Sequence, residues 1–310
     1  MTPLPIIESF SIVAPLGVCF HDTATGDRVL GGLEVFAYPS SAGVWKNKTA
    51  LRPNRQGVYV LQKIKGLGDF SSGNGDAEFW KENPPEKNYI VEVSDIEGRF
   101  QAFQFTVKLP VRGIYEWENI PLSSPNRVLK SIPLYSAPPR KISGGAAVVR
   151  AQLKESSGVP AALAVLEARF EGTLVARGIA DRDGQTVLIF PSLAPQTNPI
   201  VSPPATSTRI SLAEQNWNLD LTVKYQPNIF QTSPSEIIED DEEKLPDLRL
   251  VLAQAEGTLW ADGGQTEEYT TAVLQTGREL VLRSRPNANT SPMPDTETVS
   301  SSFLFVSPAI

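Results

Sequence analysis

The sequence predicts an all-β protein: two β-sandwiches joined by a proline-rich connector, with long loops and an extended C-terminal tail. Three observations carry this. Short apolar runs of period two recur along the chain, as half-buried strands require. Turn residues bound those runs, most clearly over 146–191, where Gly158-Pro160 and Asp181-Arg182-Asp183-Gly184 separate three apolar stretches. The 26 prolines and 22 glycines in 310 residues are too many for a helical chain, since proline removes a backbone donor and fixes φ. The length exceeds one average domain, which sets the expected number at two.

Taken in order, residues 1–15 form a proline-rich arm and 16–112 the first sandwich. There Gly17-Val18-Cys19-Phe20-His21-Asp22 alternates, a turn over 23–27 follows, and Gly32–Tyr38 places Leu33, Val35 and Ala37 on one side. Gln56-Gly57 then precedes Val58–Leu61, and Tyr89–Val93 leads through a turn over 95–98 to Phe100–Leu109, with Phe103, Phe105 and Val107 sharing a face. Between them lies a long loop, 66–86. Its glycines lack the Lys-Ser/Thr pair of a phosphate-binding loop. Its Phe70, Phe79 and Trp80 either fold back onto the sandwich, the preferred reading, or form an exposed anchor for a partner.

Residues 113–145, punctuated by Pro121, Pro125, Pro133, Pro138 and Pro139, read as a semi-rigid linker. The second sandwich spans 146–285. Trp217, Leu219, Leu221, Val223 and Tyr225 give it the clearest alternation in the chain, and 248–253, 257–261, 269–274 and 279–283 supply shorter strands. Its acidic stretch 235–247 reads as a solvated loop, because like charges repel. Each module contains a glycine-led apolar run (Gly57 onward, Gly184 onward) and a later amphipathic strand (103–109, 219–225), which suggests duplication of one sandwich. The tail, 286–310, is a polar spacer ending in Phe303-Leu304-Phe305-Val306. That short strand either completes this chain's own sheet or adds to a neighbour's edge.

The same residues narrow the chemistry. A net charge of −7 argues against general affinity for nucleic acid, which rests on Lys and Arg neutralising phosphates. One cysteine, Cys19, and one histidine, His21, cannot form an internal disulfide or a four-ligand zinc site. Any Ser or Cys nucleophile relying on a histidine base must use His21, and the Cys19–His21 spacing is equally that of two ordinary strand residues. Asp181 with Asp183 could pair as in glycoside hydrolysis, but Asp-Arg-Asp-Gly between strands is what a turn needs. No apolar run is long enough to span a bilayer, and the broken apolar N-terminus does not read as a signal peptide. No cofactor or metal is expected.

Residues 158–191 resemble the carboxypeptidase-regulatory-like, transthyretin-type (Ig-like) sandwich, in which a Gly-containing turn before an apolar strand is usual. More specifically, 26–39, 55–70, 89–113, 134–140 and that module together resemble accessory proteins encoded with bacterial contractile injection systems. These are phage-tail-like particles with a sheath, tube, baseplate and cap. The resemblance covers about residues 16–195 and brings no catalytic motif. It implies a non-enzymatic structural adaptor at one end of such a particle, with the cap slightly preferred over the baseplate. It also implies multiple copies in a symmetric assembly and a cytoplasmic location within the particle. The residues expected to dock on partners are Phe70, Phe79, Trp80, Phe303, Leu304, Phe305 and Val306. The alternative is a carbohydrate- or ligand-binding sandwich with Trp45, Trp80 or Trp117 as a stacking platform.

Overall fold

In the computed structural model the described residues are 11–12, 14–40, 48–64, 67, 71–72, 80, 85–117, 131–142, 145–191, 216–227, 229, 245–284 and 303–308. Their architecture is all-β. In the first module β2 (Leu16–Val18) pairs antiparallel with β7 (Tyr59–Leu61), which also pairs with β6 (Arg52–Pro53). Facing them is a four-stranded antiparallel sheet. Its order is β10 (Phe103–Leu109), β9 (Lys87–Asp95), β4 (Leu33–Pro39), β5 (Thr49–Ala50). The inward residues Phe103, Phe105, Val107 and Leu109 on β10 are buried, and Phe20 meets Tyr59 edge-on at 5.3 Å between ring centres. A two-residue pair, β1 (Ser11–Ile12) with β8 (Ser71–Ser72), lies apart.

The second module is a mixed nine-stranded sheet that curls on itself. One flank carries β14 (Thr173–Ile179), β13 (Val165–Phe170), β16 (Asn216–Lys224) and β18 (Thr271–Gln275). The other carries β15 (Gln185–Pro191), β12 (Ala146–Glu155) and β19 (Glu279–Val281). Two further strands, β17 (Glu256–Trp260) and β20 (Leu304–Ser307), join the flanks. β16 alternates exposed and buried as its sequence predicts, with Trp217, Leu219, Leu221 and Val223 turned inward. The run on β15 is apolar without alternation because both its faces are covered. Leu188 and Phe190 enter the module's own core. Val187 and Ile189 pack with Ala24 of the first module.

The two modules repeat one topology. The antiparallel pair β2–β7 recurs as β12–β15, and the order β10-β9-β4-β5 recurs as β18-β16-β13-β14. The last strand of each, parallel to the first, also recurs, as β11 (Ile132–Leu134) beside β3 (Phe20–Asp22) and β20 beside β12. Even the register agrees. Gly17 faces Ile114 and Phe20 faces Ile132 in the first module, as Arg150 faces Val281 and Leu153 faces Leu304 in the second. The turn before β7 and β15 is the same device twice. The Asn54 side chain accepts from the backbone N–H of Gln56 (2.9 Å) and Val58 (3.0 Å). Asp181 accepts from Asp183 (2.9 Å) and Gln185 (2.8 Å). Gly57 and Gly184 close these turns at the same φ of +73°, a region that excludes most side chains. One equivalence expected from sequence is shifted by a strand: 219–224 lies in β16, the counterpart of β9, whereas 103–109 is β10.

Two further expectations are corrected. The segment 113–145 is not a free linker over its described part. Ile132 and Leu134 are fully buried in the first core. Pro133 is tolerated because the ladder to β3 uses its neighbours, Ile132 N–H to Cys19 C=O and Leu134 C=O from Thr23 N–H. Residues 248–253 form no strand. Leu248–Leu252 is a short helix, α1, capped by Asp247, whose carboxylate accepts from Arg249 N–H (2.8 Å) and Leu250 N–H (3.4 Å). Leu248 and Val251, three apart and so on one helical face, are buried in the first module's core, as are Leu163, Val165 and Ile179 of the second. The modules are therefore fused through shared apolar packing rather than strung on a tether.

Candidate functional site

Of the residues expected to dock, Phe70 and Phe79 lie outside the described residues. Trp80 is half-buried against the first core. The tail strand completes this chain's own sheet: Leu304 and Val306 are buried in the second core, so they offer a partner no apolar surface. Phe303 and Phe305 occupy the other face. They meet edge-on at 5.2 Å, with the Lys154 ammonium 4.3 Å from the Phe303 ring centre.

The candidates for chemistry separate. Cys19 is buried and burial pushes its thiol pKa up, which keeps it protonated and poorly nucleophilic. The His21 Nδ1 lies 2.8 Å from Ser131 Oγ. Burial holds His21 below its ordinary pKa, against the opposing effects of Ser131 and Asp22. That Ser–His contact sits in the packed junction of β3 and β11. Asp22 is engaged elsewhere, accepting from Arg140 and from Ala24 N–H at 2.9 Å. Asp181 and Asp183 form the turn already described. No three His, Cys, Asp or Glu among the described residues are grouped to hold a metal ion. No described helix is long and apolar enough to cross a membrane. The acidic residues 236–243 and Trp45 lie outside the described residues. Trp117 is buried, edge-on to Phe105 at 5.6 Å and covered by the Arg249 guanidinium, so it presents no face to a sugar.

The module junction holds the densest ionic network. The Glu167 carboxylate, 3% exposed, is met by Arg177 at 2.6 Å, Arg169 at 3.3 Å and Lys224 at 3.7 Å. β-pairing sets this out: Arg177 is directly opposite Glu167 on β14, and Lys224 lies two positions beyond its partner on β16. Arg177 also hydrogen-bonds Tyr135 of the first module. Burial alone would lower the Arg177 pKa, but Tyr135 and Glu167 hold it up. The network links the modules through Tyr135 and Glu167. A small apolar crevice nearby is lined by Phe103, Tyr135, Leu163, Ile179, Leu248 and Val251.

The two most exposed large apolar side chains among the described residues lie on the first sandwich. Leu30 and Ile96 are 61% and 70% exposed there, on turns that are stitched together. Ile96 N–H donates to Gly32 C=O at 3.2 Å, and Arg28 donates to Gln56 C=O at 3.1 Å. Leu30 rests on Gly57, where a Cβ would come within 2.9 Å of its Cδ2. Arg99 braces the base by pairing with Asp95 (2.8 Å) and Glu97 (3.3 Å). The Asp95 carboxyl, which burial would raise, is held below its ordinary pKa by Arg99. Two apolar side chains are thus held outward on a charged, rigid frame. Sequence periodicity misses Ile96 because it is a single apolar residue in a turn, and Leu30 because it follows Val29 without alternation, next to Gly31-Gly32. No family model matches this chain, and comparisons with curated proteins and with solved structures give no match.

Proposed function

We propose that the protein is a non-enzymatic adaptor subunit that joins components of a contractile-injection-type particle at one end, the cap in preference to the baseplate. The observation that supports this reading is the fusion of two like sandwiches through one shared core. A body of this kind holds its loop ends at a fixed spacing, which a joining piece needs and a flexible tandem does not provide. The exposed Leu30 and Ile96 give one of those ends an apolar contact on a charged rim, the composition of a protein-binding patch. The partners on this reading are other protein subunits of the particle.

The test is sedimentation from the native host. Deleting the tail is a poor probe, since β20 belongs to the core, so the contact is probed at the exposed tip. The wild-type chain co-sediments with sheathed particles. Ile96→Asp together with Leu30→Ser lowers the bound fraction about tenfold, the loss of roughly 1.4 kcal/mol of binding, without shifting the melting temperature. A chain found wholly as free monomer, with no particle fraction, overturns the proposal.

A further inference from the structure

The geometry around β20 points to strand exchange. We propose that the slot between β12 and β17 accepts residues 303–308 of a second copy of this chain as well as its own. The inference is independent of the particle reading and rests on two observations.

The first is the connection. β19 and β20 lie one after the other on the same edge of β12, both parallel to it: Val281 faces Arg150 and Leu304 faces Leu153. At a rise of about 3.3 Å per residue, those positions are roughly 10 Å apart. Leu282 is fully buried in the second core with its N–H donating to Arg150 C=O, and Ser284 is buried, so the connection is residues 285–302. A segment of that length spans at most about 60 Å when extended. A folded chain of this size has a radius of gyration of about 20 Å, so the connection is long enough to reach a neighbouring molecule. Its composition after Arg285 is polar and rich in Pro, Ser, Thr and Asn, with Met293 and Val299 as its large apolar residues, which gives it little apolar surface with which to hold the strand at home.

The second observation is that the slot is shaped for this strand and no generic one. β20 is bonded on both edges, parallel to β12 and antiparallel to β17. Leu304 and Val306 enter the core. On the outer side Gly263 admits the Phe305 ring, where a Cβ would lie 3.0 Å from its Cζ. Gly257 admits the Ser307 carbonyl, where a Cβ would lie 2.4 Å from the oxygen. Trp260 Nε1–H donates to Ser307 Oγ at 2.9 Å. A second copy supplies the identical sequence and makes each of these contacts unchanged, so the native and exchanged states differ only in which molecule carries the strand.

The test uses two full-length single variants, Thr258→Cys and Ser307→Cys, at positions directly opposite each other on β17 and β20. Cross-strand Cα separations of ~4.5–5.5 Å suit a disulfide, and the native Cys19 is buried. The doubly substituted chain closes the bond within one molecule. When the single variants are mixed, refolded together at about millimolar concentration (the effective concentration of a short flexible tether) and oxidised, a covalent heterodimer forms. Its yield falls about tenfold on tenfold dilution before refolding. If the mixture gives no more covalent dimer than either variant alone, the proposal is overturned. A check free of cysteine substitution is wild-type chain refolded at millimolar and at micromolar concentration and then examined by sedimentation at one dilution. Trapped dimer appears only in the first sample; monomer in both overturns the proposal.

Discussion

Replacing Gly184 with alanine measures how strongly the repeated turn is pinned to the strand beneath it. At φ +73° an L residue is strained by about 1–2 kcal/mol. Its Cβ would also lie 2.2 Å from the Leu153 carbonyl oxygen, so turn or strand must move by roughly 1 Å to reach an ordinary contact. That carbonyl accepts Ala161 N–H at 2.9 Å, and Leu153 N–H donates to Gly184 C=O at 2.8 Å. Leu153 and Ala161 are fully buried. Displacing the carbonyl strands one of these groups without water, at about 1–3 kcal/mol. The sum is about 2–5 kcal/mol. Gly158→Ala is the control: its φ is +85° but nothing lies within 4 Å of the added Cβ, so it bears only the backbone strain. At about 3 °C per kcal/mol, the middle of the range for a large chain, Gly158→Ala lowers the melting temperature by about 4–5 °C and Gly184→Ala by about 10 °C. Thermal melting followed by circular dichroism reads both. Equal losses would refute the close packing of turn on strand and leave backbone strain as the whole effect.

Two more expectations concern the intact chain. His21 titrates below its ordinary value of about 6.5. Between the folded and unfolded values the unfolded chain binds more protons, so stability falls as pH drops below about 6.5 and recovers as pH rises. His21→Gln removes that slope from melting curves taken between pH 5 and pH 7; an unchanged slope means other groups carry it. The shared core predicts that both modules melt in one calorimetric transition, with the calorimetric and van't Hoff enthalpies equal. Two resolved transitions would show that Leu163, Val165 and Ile179 couple the modules less than their burial implies.

Much of the fold was legible in the sequence because it is local. The alternation of β16 fixes which side chains enter the core, and Asn54 and Asp181 mark the two turns through bonds to their own neighbours. Asp-Arg-Asp-Gly read as a turn for that same reason. The features that were missed depend on residues far along the chain. β11 carries a proline and has three residues, so only its partner β3, more than a hundred residues earlier, makes it a strand. The segment 248–253 is apolar enough for either state, and the Pro246-Asp247 start signal settled it as helix. Whether β20 paired within the chain was undetermined, since a strand's sequence does not name its neighbour. The exposed Leu30 and Ile96 leave no periodic trace. Their placement comes from long-range contacts, Ile96 N–H on Gly32 C=O and Leu30 against Gly57, which form only in the fold.

The burial of Leu248 and Val251 in the first module's core bears on how the chain is made. A domain usually folds as soon as its own residues have been synthesised. Here the module's last strand, β11, ends at Leu134, but two apolar residues that seal the same core, Leu248 and Val251, come roughly 115 residues later. At the usual ~5–20 residues per second of synthesis, that delay is roughly 6–23 s. During it the apolar side chains that α1 will cover remain open to water. The final closure of the first sandwich therefore waits on a helix of five residues from the other half of the protein.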